Sequence, residues 1–159
     1  MSDFANLADA GRRLQGLVAE GAEPGTLLVA VVPNGVPVAE PVAEALGLAL
    51  VGATVVRDDE PRVGSLPSVA PGTPVIVVDD GVETGTAALL VGRALREEGA
   101  GHLTLAVPVC PREAEPALRA VYDEIVAVQR PLVRRDLRWH YADFDTIAEA
   151  EALDRLAAR

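Results

Sequence analysis

"VIVVDDGVETGTAALLVGRAL", residues Val75 to Leu95, passes from an unbroken apolar run through two adjacent aspartates and a Gly/Thr-rich turn into a helix-like segment. A run of four apolar residues bounded by polar ones is typical of a short, fully buried strand in a parallel sheet. In open α/β sheets, ligands bind beyond the carboxyl ends of the strands, which is where Asp79 and Asp80 would emerge. The stretch therefore predicts a strand, a ligand-binding loop and a helix in direct succession.

The loop after this strand combines carboxylates with free backbone amides. Asp79 and Asp80 suit the vicinal hydroxyls of a sugar or a hydrated Mg²⁺ ion. The turn from Gly81 to Thr86 leads into a helix start, whose free N–H groups and dipole favour an anion. The loop is therefore predicted to hold a sugar by its hydroxyls and the phosphate of that sugar by backbone amides.

Short apolar runs and helix-like segments alternate along the rest of the chain. Strands are predicted at residues 26–32, 48–56, 75–78, 103–109 and 125–128. Helices are predicted at residues 3–20, 38–46, 87–98, from 111 onwards, and from 143 to the end. This alternation predicts a single α/β domain over residues 1–159, with a doubly wound, mostly parallel five-stranded sheet flanked by helices. The proline-rich residues 57–74 are predicted to form a mobile loop, and residues 132–159 a tail with a small hood and a C-terminal helix.

The composition limits the classes of function. Of the 159 residues, 50% are hydrophobic but only 3% aromatic, so Val, Leu and Ala must build the core. The formal net charge of −10 argues against a nucleic-acid or anionic-membrane partner. All 14 basic residues are arginine, which excludes a Walker-type phosphate loop and Schiff-base chemistry, because both need a lysine. Cys110 is the single cysteine and no basic leader precedes an apolar run, so we expect a cytoplasmic protein without an intrachain disulfide.

"VIVVDDGVETGTAAL", residues 75–89, resembles the phosphoribosyl-pyrophosphate (PRPP) signature of the type I phosphoribosyltransferases, in which an apolar strand, two acidic residues and a Thr-Gly loop follow one another. "VVPNGVPVAEPVAEALG", residues 31–47, resembles the pyrophosphate loop and following helix of that family. "WHYADFDTI", residues 139–147, is similar to the end of some bacterial members of unassigned substrate. The resemblance implies the family fold, PRPP and Mg²⁺ as ligands, a homodimer, and exchange of pyrophosphate for a nitrogenous base at the anomeric carbon of the ribose.

Carried over position by position, the resemblance assigns roles to individual residues. Asp79 and Asp80 would be the catalytic pair, holding the ribose hydroxyls and the Mg²⁺, directly or through water. The 5′-phosphate would be wrapped by the loop that follows, made of Gly81, Val82, Glu83, Thr84, Gly85, Thr86 and Ala87. The pyrophosphate would be lined by Asn34, Gly35 and Val36.

Three positions depart from the family pattern. Asn34 stands where Arg or Lys is frequent, so it brings no charge toward the leaving pyrophosphate. Arg57 and Arg62, at the mobile loop, either supply that cation when the loop closes or are solvated surface arginines. Glu83 replaces a small residue and would repel a facing phosphate by about 1 kcal/mol or more, unless it points to solvent. Ala87 stands where a hydroxyl residue is usual.

Three further residues are candidates for contacting the acceptor base. Cys110 follows a predicted strand at its carboxyl end, although a small buried residue is the commoner role of such a cysteine. Trp139 and Tyr141 either stack on a flat base at the cleft rim or pack against the sheet.

Two functions remain open. One is a phosphoribosyltransferase that binds PRPP and Mg²⁺ and transfers the phosphoribosyl group to or from a nitrogenous base. The other is a catalytically weak or inactive relative that binds PRPP or a nucleotide as a sensor or partner protein, which the changes at Asn34, Glu83 and Ala87 favour. A phospho-acceptor receiver domain is set aside, because it needs an acidic pair at the first strand and a lysine, and this chain has neither.

Overall fold

The computed structural model describes residues 2–159 as alternating strands and helices. The strands are β1 (Leu27–Val31), β2 (Ala49–Val56), β3 (Arg62–Ser65), β4 (Val75–Val78), β5 (Leu103–Val109) and β6 (Glu124–Gln129). The helices are α1 (Leu7–Ala19), α2 (Gly35–Leu46), α3 (Thr86–Glu97), α4 (Glu115–Arg119) and α5 (Glu149–Ala157). Two 3-10 helices cover Arg112–Ala114 and Leu137–His140.

The strands form one sheet in the order β3-β2-β1-β4-β5-β6. All neighbours run parallel except β2 and β3, and Leu27 of β1 is in register with Ala49 of β2 on one side and Val75 of β4 on the other. The chain therefore builds outward from β1 to β2 and returns on the other side of β1 with β4. This reversal is the topological switch point at which doubly wound sheets bind their ligands. The predicted fold class is confirmed.

The sheet has one strand more than the five predicted. β3 lies inside residues 57–74, which the proline-rich sequence had indicated as a loop, and it pairs antiparallel with β2 at the edge of the sheet. Two side-chain contacts fix this pairing: the Oγ1 of Thr54 lies 2.8 Å from the Oγ of Ser65 and accepts a hydrogen bond from the Ser65 amide at 2.8 Å. Such a strand depends on its partner across the turn, so local periodicity did not reveal it.

Helices cover both faces of the sheet and enclose two apolar clusters. One cluster joins α1, α2 and the C-terminal segment to one face, with Leu14, Val38 and Ala152 fully buried. The other joins α3 and α4 to the opposite face, with Val91 and Leu118 fully buried. The aliphatic core predicted from the composition is therefore divided between the two faces of the sheet. All four residues of β4 are buried between the two clusters.

Four helix boundaries differ from the sequence prediction. Helix α1 begins at Leu7 rather than near residue 3, because Asn6 caps the helix and Phe4 forms a β-bridge with Tyr141. Helix α2 begins at Gly35 rather than near residue 38, so Pro41 lies inside the helix and not in its first turn. The helix predicted from residue 111 consists of a 3-10 turn and the short α4. Helix α5 begins only at Glu149, because residues 142–147 are drawn into hydrogen bonds with other parts of the chain.

The segment before α5 docks on the N-terminal residues. The amides of Asp3 and Phe4 donate to the carbonyl of His140 at 3.0 and 2.9 Å, and the Ala142 amide donates to the Phe4 carbonyl at 2.8 Å. Asp3 Oδ2 also lies 2.6 Å from His140 Nδ1. These contacts hold residues 137–147 across the carboxyl end of the sheet, where the predicted hood would lie.

Candidate functional site

A cavity of about 330 Å³ lies at the carboxyl ends of the central strands. It is lined by residues 79–88, and in addition by Val32, Pro33, Asn34, Arg57, Leu137 and Phe144. These residues come from the ends of β1, β2 and β4, from the start of α3 and from the C-terminal segment. The cavity therefore occupies the topological switch point and contains the loop that the sequence indicated.

Asp79 and Asp80 form a buried acidic pair at the end of β4. Each residue is only 8% exposed, and the Oδ1 of Asp79 accepts a hydrogen bond from the Asp80 amide at 2.8 Å. Burial raises the pKa of Asp79 well above its ordinary value, and the neighbouring Asp80 charge raises it further. Burial raises the pKa of Asp80 as well, although its hydrogen bonds with Asp79 and Asn34 oppose the rise. A cation, or a ligand with hydroxyl donors, would stabilise the charged pair, since either offsets the desolvation.

The phosphate-loop residues turn sharply before entering α3. Gly81 and Gly85 have φ of 148° and 88°, values that side chains rarely adopt, so glycine is required at both turns. Gly85 is the N-cap of α3 and has no side chain with which to cap it. The Thr86 amide makes one long contact of 3.4 Å with the Thr84 hydroxyl, so the next amides of α3 are the ones open to an anion. Val82 anchors the loop to the end of β5, because its amide donates to the Val109 carbonyl at 2.8 Å and its side chain is 3% exposed.

Glu83 is hydrogen-bonded to the backbone of the C-terminal segment. Its side chain lines the cavity, and its Oε1 accepts a hydrogen bond from the Leu137 amide at 2.9 Å. The sequence offered only two alternatives for this residue, a carboxylate facing the phosphate or one facing water. The structure adds a backbone partner 54 positions away.

The two arginines predicted at the mobile loop lie in different surroundings. Arg57 lines the cavity at the end of β2, and its charge lowers the pKa of both Asp79 and Asp80. Arg62 instead forms an ion pair with Asp58 at 2.8 Å, and both side chains are more than half exposed. Of the two, Arg57 is therefore the arginine placed to meet an anion in the cavity.

Of the three residues predicted to line a pyrophosphate, Asn34 reaches the cavity. Its Nδ2 donates to Asp80 Oδ2 at 3.2 Å. Gly35 and Val36 form the first turn of α2, where Val36 is fully buried and a Cβ on Gly35 would lie 2.6 Å from the Val78 carbonyl oxygen. Neither residue therefore offers a side chain to a ligand, and the Val36 amide already donates to the Pro33 carbonyl at 3.2 Å.

The residues that the sequence indicated for the base are placed away from the cavity. Cys110 is fully buried, and burial raises the pKa of its thiol. Tyr141 is 4% exposed, with its ring between Phe4 and Phe144 and its hydroxyl donating to the Asp80 carbonyl at 2.6 Å. Of the two alternatives for Tyr141, stacking on a base or packing in the core, the buried ring matches the second.

Trp139 lies outside the cavity, and Phe144, which the sequence did not single out, lines it. Trp139 is 48% exposed and stacks under the guanidinium of Arg135 at 4.3 Å, outside the cavity. Phe144 lines the cavity with Leu137, and its ring is supported by Tyr141 at a centroid distance of 5.1 Å. Sequence reasoning missed Phe144 because it placed a helix from residue 143. The scarcity of aromatic residues was the one signal that could have singled it out.

The donors available to a metal are the two carboxylates at the end of β4. In residues 2–159, no group of three or more His, Cys, Asp and Glu side chains is arranged to hold a metal ion. A pair of carboxylates nevertheless fits Mg²⁺, which is usually bound by one or two carboxylates together with substrate oxygens and water. Across the same described residues, none of the helices has the length and apolar character to cross a membrane.

Comparison with known proteins agrees with this fold. The profile of the phosphoribosyl transferase domain matches residues 5–134. No protein of curated function matches the sequence significantly. The fold is similar to that of TT1426 from Thermus thermophilus, with a TM-score of 0.85 and 22% identity over 99% of each chain.

Two enzymes named for their substrates share the fold more distantly. The purine phosphoribosyltransferase from Pyrococcus horikoshii has a TM-score of 0.60 and 19% identity, over 84% of this chain and 97% of that chain. The orotate phosphoribosyltransferase from Aeropyrum pernix has a TM-score of 0.56 and 27% identity, over 76% of this chain and 68% of that chain. Because the domain profile covers more than half of its residues, the chain belongs to the phosphoribosyl transferase domain family.

Proposed function

We propose that this protein binds PRPP together with Mg²⁺ and transfers the phosphoribosyl group to or from a nitrogenous base, acting as a homodimer. The observation that carries the proposal is the coexistence, in one cavity, of a buried acidic pair, an uncapped helix start and an arginine. These three features match the ribose, the 5′-phosphate and the pyrophosphate of PRPP in charge and in hydrogen-bonding capacity.

The residues of the chain act on PRPP mainly by positioning it. The Asp79 and Asp80 carboxylates accept hydrogen bonds from the ribose hydroxyls, and the amides at the start of α3, from Gly85 onward, donate to the 5′-phosphate. The same carboxylates of Asp79 and Asp80 would hold Mg²⁺, which when bound would supply positive charge against the charge on the pyrophosphate. Arg57 adds a second cation on the side of the cavity next to the acidic pair.

Bond exchange at the anomeric carbon needs little covalent chemistry from the protein. The bond to pyrophosphate breaks and the bond to the base nitrogen forms, while charge builds up on the departing pyrophosphate. Electrostatic stabilisation of that charge and alignment of the two reactants are therefore the main contributions of the site. Leu137 and Phe144 give the cavity an apolar surface that would exclude water from the reacting carbon.

A second function is favoured by the contacts of Asn34. Both ends of its amide are occupied, Nδ2 by Asp80 and Oδ1 by the Ile147 amide at 3.2 Å. The position that often carries a cation in the family pattern is thus a structural link here. A protein that binds PRPP or a nucleotide as a sensor, without turnover, needs no cation at this position.

Calorimetric titration with PRPP, with and without Mg²⁺, tests the binding step. We expect micromolar affinity that weakens when the metal is withheld, and loss of binding in the Asp79→Asn, Asp80→Asn double variant. The proposal is overturned if millimolar PRPP produces neither a heat of binding nor a rise in melting temperature, since any ligand of the native state raises the melting temperature.

Pyrophosphate release separates the two functions. Purine and pyrimidine bases are offered one at a time to the PRPP complex, and pyrophosphate is assayed. Release with one class of base establishes the transferase. Tight PRPP binding without release from any base establishes the sensor. Sedimentation equilibrium at the same concentrations measures whether the active species is the expected homodimer.

A further inference from the structure

Glu83 connects two parts of the site that are far apart in sequence. It lies in the loop proposed to hold the 5′-phosphate, is exposed, and lines the cavity. Its Oε1 accepts the hydrogen bond of the Leu137 amide at 2.9 Å. Leu137 begins the 3-10 helix Leu137–His140 of the C-terminal segment, which lies beyond the residues 5–134 matched by the domain profile.

This hydrogen bond satisfies an amide that the 3-10 helix itself leaves open. The first amides of any helix lack partners within it. Asp136, the N-cap, accepts from the Arg138 amide at 2.9 Å, and Glu83 accepts from the Leu137 amide. The two carboxylates together therefore fix the start of the helix, one from within the segment and the other from the phosphate loop.

The side chain of Leu137 is seated against the same loop. It is 8% exposed, and a Cβ on Gly81 would lie 2.5 Å from its Cδ2, so the leucine covers the backbone of Gly81 directly. Further along the segment, Phe144 lines the cavity on Tyr141, whose hydroxyl bonds to the Asp80 carbonyl. Two hydrogen bonds, Glu83–Leu137 and Asp80–Tyr141, thus join the segment to the loop and to the acidic pair, and the Leu137 side chain packs on Gly81 between them.

We propose that Glu83 is a positioning residue that fastens the apolar wall formed by Leu137 and Phe144 to the phosphate loop, and so sets the site for the acceptor base. That this wall faces an acceptor rests on the proposed function. The fastening itself is a property of the ligand-free protein.

The proposal explains why a carboxylate stands next to a phosphate site. The negative charge of Glu83 opposes a bound phosphate, while its oxygen holds the acceptor-side wall. Charge and hydrogen bond can be separated by substitution: Glu83→Gln removes the charge and keeps an oxygen acceptor, whereas Glu83→Ala removes both. Glu97→Ala is the matched control, because it removes an exposed glutamate at the opposite end of α3.

Amide hydrogen exchange on the ligand-free variants tests the fastening without any need for activity. We expect exchange across residues 137–144 to rise about tenfold in Glu83→Ala, the factor that corresponds to the loss of one net hydrogen bond. Glu83→Gln and Glu97→Ala should exchange like the parent. Unchanged exchange in Glu83→Ala, or equal acceleration in Glu83→Gln, would overturn the proposal. Neither result depends on PRPP, so failure here is distinct from failure of the proposed function.

Kinetics then separate the two effects of the residue. The KM for the acceptor base should rise about tenfold in Glu83→Ala and stay near the parent value in Glu83→Gln. The Kd for PRPP should instead fall about fivefold in both variants, the factor that corresponds to about 1 kcal/mol of repulsion, because both lose the charge. An acceptor KM that rises equally in the two variants would show that charge, and not the hydrogen bond to Leu137, governs the wall, and would contradict the proposal.

Discussion

Asn34 and Asp80, 46 positions apart in the chain, are joined by a hydrogen bond of 3.2 Å from Asn34 Nδ2 to Asp80 Oδ2. The other end of the same amide accepts from the Ile147 backbone. Asn34 therefore ties the end of β1 to the acidic pair and to the C-terminal segment at once. An arginine at this position would bring charge to the cavity but could not accept the Ile147 hydrogen bond.

Replacing Asn34 by Asp should destabilise the protein in a pH-dependent way. The aspartate keeps an oxygen for the Ile147 amide, loses the donor to Asp80, and adds a third carboxylate beside a buried pair. We expect the free energy of unfolding to fall by about 1–3 kcal/mol at pH 8, and the loss to shrink as acid protonates the cluster. Urea denaturation at pH 8 and pH 5 measures this, and Asn34→Ala is the control, because its loss should vary less with pH. Equal losses at both pH values would argue against charge repulsion in the cluster.

Asp79→Asn should stabilise the fold while abolishing PRPP binding. The pKa of Asp79 is raised in the folded protein, so the folded state binds a proton that the unfolded state has released between the ordinary value of 3.8 and the raised one. The parent consequently loses stability as the pH rises through this interval, and the asparagine variant does not. We expect the variant to melt about 3 °C higher at pH 8, and the difference to vanish below pH 3.8.

Thermal melts of parent and Asp79→Asn across this pH range make the measurement. A variant that melts below the parent at pH 8 would show that the Asp79 carboxylate is favourably charged in the free protein. In that case the pair would need no cation to relieve it.

The two loop arginines should behave differently although they lie close in sequence. Arg57→Ala should weaken PRPP binding about tenfold, because it removes the cation that lines the cavity beside the acidic pair. Arg62→Ala is the matched control, since Arg62 pairs with Asp58 at the surface. Calorimetry with PRPP at two salt concentrations measures both variants. Equal affinity for Arg57→Ala and the parent would remove Arg57 from the site.

The parts of the site that could be predicted from the sequence are local in the chain. The acidic pair, the glycine turns and the start of α3 follow one another without a break, so a single stretch determines their geometry. The same holds for the aliphatic strands, whose burial on both faces appears as continuous apolar runs.

The parts that could not be predicted depend on partners far away in the chain. The Glu83–Leu137 hydrogen bond spans 54 positions, and the docking of His140 on Asp3 spans 137. Residues 143–147 have a helix-like composition, and only the contacts with the N-terminal residues and Asn34 show why they are not helical. The choice between Trp139, Tyr141 and Phe144 as the ring at the cavity follows from this docking, which no local pattern encodes.

Phe144 should be the ring that affects the acceptor. Phe144→Ala removes the aromatic surface from the cavity wall, and we expect the KM for the base to rise about fivefold to tenfold, as the loss of one aromatic contact predicts. The Kd for PRPP should change little, because the phosphate loop and the acidic pair keep their own contacts. Trp139→Ala is the matched control: Trp139 is 48% exposed and lies outside the cavity, so neither constant should move. Steady-state kinetics with the active base and calorimetry with PRPP give both constants. A KM that rises in Trp139→Ala and not in Phe144→Ala would place the base next to Trp139 and would favour stacking on that ring, the first of the two alternatives that the sequence left open.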